Sequence, residues 1–140
     1  MAVMTEEYQK EFLSKTRYGY LTTLSSDGFP KTVPIWFEWD GHTVRIFTVI
    51  NSLKLKRIEQ DPRVTVLVAK DMNEHEAWVS FDGIANIHSE GAIELVEKLA
   101  NKYWDLSDPK RKQTIDHWKT IPEIFCVIEL APTQIRTYFD

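Results

Sequence analysis

The stretch "TVINSLKLKRIEQDPRV", from Thr48 to Val64, gathers Lys54, Lys56 and Arg57 just past an apolar run that stops at Ile50. Asn51 and Ser52 are helix-capping residue types, so the cations fall in the opening turns of a short helix. Free backbone N–H groups at a helix start carry partial positive charge, and a cation there is normally unfavourable. Lys54 makes sense in that first turn when an anion neutralises it, and a phosphate binds readily at such an end. The ordinary alternative is a solvated helix face, with Lys56 and Arg57 paired to Glu59 or Asp61.

A second concentration lies in "VPIWFEW", where Trp36, Phe37 and Trp39 crowd one segment with Pro34 inside it. Strand alternation sends Val33, Ile35, Phe37 and Trp39 to one face, and Pro34, Trp36 and Glu38 to the other. Trp36 therefore needs cover from a helix, a second subunit or a flat ligand. Pro34 gives up a ladder hydrogen bond and suits an edge, or a place where a ligand comes close. The histidines His42, His75, His88 and His117 show no metal-ligand spacing. Cys126 alternates with Ile124 and Ile128, which reads as a buried, inert thiol. No Ser-His-Asp set is present. A chain without its own acid–base constellation suits chemistry carried by a bound cofactor.

The elements that must position these residues are readable. "MTEEYQKEFLS" predicts a short helix capped by Thr5, with Tyr8, Phe12 and Leu13 on its apolar stripe. "RYGYLTTLS", "KTVPIWFEW" and "TVRIFTVI" predict three strands in an antiparallel meander, turning at "SDGFP" and at Asp40-Gly41. Asp61-Pro62 stops the basic helix, and "RVTVLVA" begins the next strand. "AWVSFDGIANIH" alternates with period two, and Gly83 marks a bulge or bend in it. Ile93, Val96, Leu99 or Ala100, and Tyr103 share one face of a helix, and "DPKRKQTIDHWKTI" predicts a more polar one. "EIFCVIELAPTQIRTYF" closes the chain as one strand, or as two broken at Pro132. About six strands and few helices point to a closed or nearly closed antiparallel barrel, with a two-sheet sandwich as the alternative.

The 140 residues suit one domain, residues 1–140, with no internal repeat or linker. Apolar content of 43% and charged content of 27% are ordinary for a globular protein. A net charge of -4 argues against a general nucleic-acid binder. No apolar run is long enough to cross a bilayer, and "MAVMTEEYQKEF" lacks a secretory pattern. A single cysteine excludes an internal disulfide. Together these predict a cytoplasmic protein with no membrane or nucleic-acid partner.

In order and spacing, four pieces of the chain resemble the flavin-binding split barrels related to pyridoxamine 5'-phosphate oxidase, including the branch that uses the deazaflavin F420. They are "YGYLTTLSSDGFPKTVPIWFEWDG", "FTVINSLKLKRIEQDPRVTVLV", "WVSFDGIANI" and "IELAPTQIRTYF". The resemblance implies a mainly β fold, a six-stranded antiparallel split barrel of FMN-binding type with a few peripheral helices. It implies that Lys54 and Ser52 hold the cofactor phosphate, and that Phe47 and Thr48 border the phosphate and ribityl chain. The backbone of Val33, Pro34, Ile35 and Trp36 would run along the flavin ring. Leu53 stands where many members carry arginine, and Lys56 or Arg57 is the compensating cation. The chain also lacks the second-strand arginine and the C-terminal segment of the pyridoxamine phosphate oxidases proper, so that activity is not expected. The implied function is an FMN-dependent oxidoreductase, passing a hydride to or from a small flat substrate. The alternatives are an F420-dependent reductase or a non-catalytic flavin-binding or stress-response protein. A heme-binding member of the same barrel class is a further reading, although no histidine stands out as its ligand. The resemblance also implies a homodimer with the cofactor at the subunit interface.

Overall fold

Capping and turn residues lie where the backbone changes direction in a computed structural model that describes residues 4–140. Residues 1–3, where the reading of a missing secretory pattern begins, lie outside the described residues. Helix α1, Glu6–Ser14, starts at Thr5, whose Oγ1 accepts the Tyr8 N–H at 3.1 Å, and it buries Phe12 and Leu13. Strands β1, Gly19–Leu24, and β2, Pro30–Ile35, form a hairpin. Strands β3, Glu38–Trp39, and β4, Val44–Val49, form another. In the second turn Asp40 Oδ1 accepts the N–H groups of His42 at 2.8 Å and Thr43 at 2.7 Å. Gly41 takes a φ of 95° there, which a side chain would strain.

Helix α2, Leu53–Gln60, leads to β5, Arg63–Ala69, and then to the long strand β6, Ala77–His88. Helices α3, Ala92–Tyr103, and α4, Pro109–Trp118, precede a short 3-10 turn and the closing strand β7, Phe125–Phe139. All strands join one antiparallel sheet in the order β2-β1-β5-β6-β7-β4-β3, curled into a half-barrel.

The sheet has seven strands where the sequence predicts six. The extra one arises because "KTVPIWFEW" is not continuous: the chain leaves the sheet at Trp36-Phe37, so β2 lies on one edge and β3 on the other. The expected three-strand meander therefore does not form, and β4 pairs with β7 instead. An unbroken apolar pattern cannot reveal where a strand crosses from one edge to the other.

The bend expected at Gly83 is a bulge. Asp82 faces Gln134 while Gly83 faces Pro132, leaving Thr133 as the extra residue on β7. A Cβ at Gly83 would meet Leu130 Cδ1 at 2.7 Å and the Ala131 carbonyl oxygen at 2.9 Å, so the close approach requires glycine. Pro132 sits in this irregularity, and β7 runs through it as one strand.

Two apolar layers result. Leu21, Phe37, Val44, Val66, Val79 and Phe81 are fully buried inside the curl. On the outer side of β4 and β7, α3 packs Leu95, Val96 and Leu99 against Phe125 and Val127. Burying each of these aliphatic side chains stabilises the fold by about 1.5–3 kcal/mol. Cover on both faces explains why "FCVI" is apolar throughout rather than alternating. Among the described residues, no helix is long and apolar enough to cross a membrane.

Candidate functional site

The first turn of α2 presents the cations. Ser52 is its N-cap, with Oγ accepting the Leu55 N–H at 3.3 Å. Lys54 is half-buried, and its Nζ donates to Thr48 Oγ1 at 3.4 Å. Thr48 is the last inward-facing residue of β4 and is 5% exposed. One helical turn on, Arg57 Nε donates to Thr23 Oγ1 of β1 at 2.8 Å. Leu55 and Ile58, on the buried face of α2, fix the helix so that Lys54 and Arg57 share a flank.

The electrostatics of this flank are unusual. Burial pushes the Lys54 ammonium below the ordinary lysine range, and the charge on Arg57 pushes it further. Among the described residues neither cation has a carboxylate partner within ion-pair distance. Asp61 is bonded to Arg63 instead, with Arg63 Nη2 at 2.7 Å. The paired, solvated helix face is therefore not what the fold builds. Lys54 sits partly desolvated at the positive end of the helix, with the like charge of Arg57 in the last turn on the same flank, an arrangement that an anion would stabilise.

The second part of the site is aromatic. Trp36 stacks on Tyr103, with ring centroids 5.2 Å apart and planes at 7°, and meets Trp104 edge-on at 5.0 Å. Of the three covers its sequence position allows, Trp36 takes a helix end. Tyr103 also donates its hydroxyl to the Arg17 carbonyl at 2.5 Å and accepts the Phe37 N–H at 3.4 Å. Burial raises its phenol pKa to about 12, so it stays a neutral donor. It thereby ties the break between β2 and β3 to the chain before β1. Beside this tie is a cavity of about 270 Å³, lined by Tyr18, Pro34, Ile35, Trp36, Phe47, Trp104 and Trp118. None of the four histidines lines it.

The expected residues thus divide into two groups. Pro34, Ile35, Trp36 and Phe47 meet at the aromatic cavity. Thr48, Ser52 and Lys54 meet at the start of α2. Val33 packs against the inner core, Leu53 is 69% exposed, and Lys56 points to solvent away from Lys54. Of the two cations considered as compensation, Arg57 is the one that shares a flank with Lys54. Sequence reasoning missed Thr23, Tyr18, Tyr103, Trp104 and Trp118. The aromatic doublet Tyr103-Trp104 at the end of an amphipathic helix was the available signal.

A curled antiparallel half-barrel with a basic helix start at its strand end defines the split-barrel class. The family model for pyridoxamine 5'-phosphate oxidase matches residues 4–139, and the chain belongs to that family. The sequence matches none of the curated proteins. Among solved structures, an F420 reductase superposes with a TM-score of 0.74 at 23% identity, over 91% of this chain and 94% of its own. A conserved hypothetical protein of Mycobacterium tuberculosis gives 0.72 at 24% identity, over 98% and 86%. The heme storage protein of Vibrio cholerae gives 0.65 at 16% identity, over 98% and 95%. At these identities the likeness is one of fold.

Proposed function

We propose that this protein binds a flavin nucleotide, FMN, and serves as an oxidoreductase exchanging a hydride with a small flat molecule. The observation that carries the reading is the pair Lys54 and Arg57, both partly buried and, among the described residues, both without a carboxylate partner. That donor set fits a phosphate group. Lys54, Thr48, Ser52 and Arg57 would hold it, and the backbone of Val33–Trp36 would run beside the ring. A bound flavin supplies two-electron hydride chemistry itself. The chain's own residues would bind and orient it, and the aromatic walls around Trp36 would offer stacking surface.

F420, which also carries a phosphate linkage, is the alternative cofactor. Its support is the likeness to a solved F420 reductase and the exposed Leu53 where many family members have arginine. In either case we place the cofactor at the interface of a homodimer. Support for the assembly comes from the outer face of the sheet, where Tyr20 and Ile84 are exposed and Trp78 stacks on Tyr138. Absorbance and fluorescence titration of the purified protein with FMN, F420, riboflavin and heme tests the reading. Saturable binding of FMN or F420, with much weaker binding of riboflavin, is expected. A Soret band with heme and no response to either phosphate-bearing cofactor would remove the proposal.

A further inference from the structure

One side chain holds the crossing at Trp36-Phe37. The ladder between β1 and β2 ends at Ile35, and β3 begins at Glu38, so Trp36 and Phe37 have no ladder of their own. Phe37 is 0% exposed, and a buried N–H without a partner is costly. Tyr103 supplies that partner: its hydroxyl oxygen accepts the Phe37 N–H at 3.4 Å. The same hydroxyl donates its proton to the Arg17 carbonyl at 2.5 Å, and the ring stacks on Trp36. Both supports of Tyr103 are themselves fixed. Its backbone closes α3, whose Leu95, Val96 and Leu99 are buried. Arg17 Nε donates to the Phe12 carbonyl at 3.0 Å and Nη2 to Glu74 Oε2 at 2.9 Å, with the guanidinium 4.1 Å from the Phe12 ring centroid.

A neutral tyrosine hydroxyl has one proton to give and lone pairs to accept with, so it can bridge an N–H and a carbonyl at one point. Phenylalanine there would keep the stack on Trp36 and lose both bonds. Tyr103 does not itself line the aromatic cavity; it touches the residues that do, or that follow them in the chain. Lys54, at the start of α2, takes no part in this network. We propose that Tyr103 is the positioning residue for the ring half of the cofactor site: by pinning Trp36 and Phe37 to Arg17, it sets where the backbone of Pro34–Trp36 lies against the ring. Its effect on the ring rests on the cofactor reading proposed above; its hold on the crossing does not.

Tyr103→Phe tests this in two independent ways. In the full chain without cofactor, amide hydrogen exchange should speed up at Phe37 by about tenfold or more relative to Val66 in the inner core. Titration should then show FMN and riboflavin weakened by the same factor, roughly threefold to tenfold, because both carry the ring. Lys54→Ala should weaken FMN alone. The visible circular-dichroism band of the bound flavin, which reports how the ring is seated, should change in Tyr103→Phe and keep its shape in Lys54→Ala. If F420 is what binds, F420 and its phosphate-free deazaflavin take the place of the flavin pair. A Phe37 amide that exchanges no faster relative to Val66, weakening confined to the phosphate-bearing member of the pair, or unchanged affinities with an unchanged band would each overturn the role of Tyr103. Absence of any flavin or F420 binding by the wild-type chain would instead remove the cofactor reading, and the ring assignment with it.

Discussion

Lys54 Nζ lies 3.4 Å from Thr48 Oγ1, so the first turn of α2 reaches back onto the last inward residue of β4. This contact keeps a lysine partly out of water at the helix end least suited to it. Thr48 supplies a hydroxyl but no charge, so the pair leaves the ammonium uncompensated.

Replacing Lys54 with alanine should therefore weaken FMN or F420 binding. A charge-assisted contact is worth roughly 1.5–3 kcal/mol, which corresponds to about tenfold to a hundredfold in affinity. Arg57→Ala should act in the same direction, and the exposed Lys56→Ala should change little. Riboflavin should be nearly indifferent to all three. Unaltered affinity for both phosphate-bearing cofactors in Lys54→Ala would show that the phosphate is held elsewhere.

Assembly has a simple readout. A two-fold interface on the outer sheet face would bury Tyr20, Trp78 and Tyr138 on both subunits. Light scattering at micromolar concentration with cofactor present should report twice the 16.4 kDa chain mass. A monomer under those conditions contradicts the dimer.

Reaction with an acceptor separates an oxidoreductase from a carrier. Cofactor reduced anaerobically in the protein should be reoxidised by an added quinone faster than free reduced cofactor under the same conditions. Equal or slower rates across several acceptors, with FMN and with F420, would favour a non-catalytic binding protein.

Acid stability should depend on Glu74. Its carboxylate accepts from the buried Arg17 guanidinium, with Nη2 to Oε2 at 2.9 Å, and this holds its pKa at about 2 against an ordinary 4.5. A depressed carboxylate contributes stability above its unfolded pKa and loses it as pH falls through the folded one. Glu74→Gln should therefore melt at a lower temperature than wild type at pH 7, with the gap narrowing as pH drops from 4.5 towards 2. A gap that stays constant over that window would mean the ion pair contributes nothing to folding.

Local chemistry made much of this fold legible. Thr5 and Ser52 announce their helices because a hydroxyl must satisfy an open N–H. Gly83 announces a bulge because nothing larger fits against Leu130. The break at Trp36-Phe37 stayed hidden because both halves of the segment are apolar, and only the curl of the sheet decides which edge each half joins. The candidate site divides similarly. Lys54 was readable as a cation at the wrong helix end. The choice of Arg57 over Lys56 needed the helix phase set by Leu55 and Ile58. Trp104 and Trp118 join Trp36 from more than sixty residues away, a meeting that no local pattern encodes.

The crossing at Trp36-Phe37 also limits how the molecule can fail. Ile35 ends one edge strand and Glu38 begins the other, only three residue steps later. A fully extended chain spans at most about 3.6 Å per residue, so these edges cannot part by more than roughly 11 Å. The sheet is stitched shut there by its own backbone and cannot flatten without tearing a strand pair elsewhere. Unpaired strand edges are the usual templates for aggregation. Ile35 and Glu38 are held close at this end, while the rest of β2 pairs only with β1 and relies on Pro30 and Pro34, which donate no ladder hydrogen bond, to discourage a stray strand.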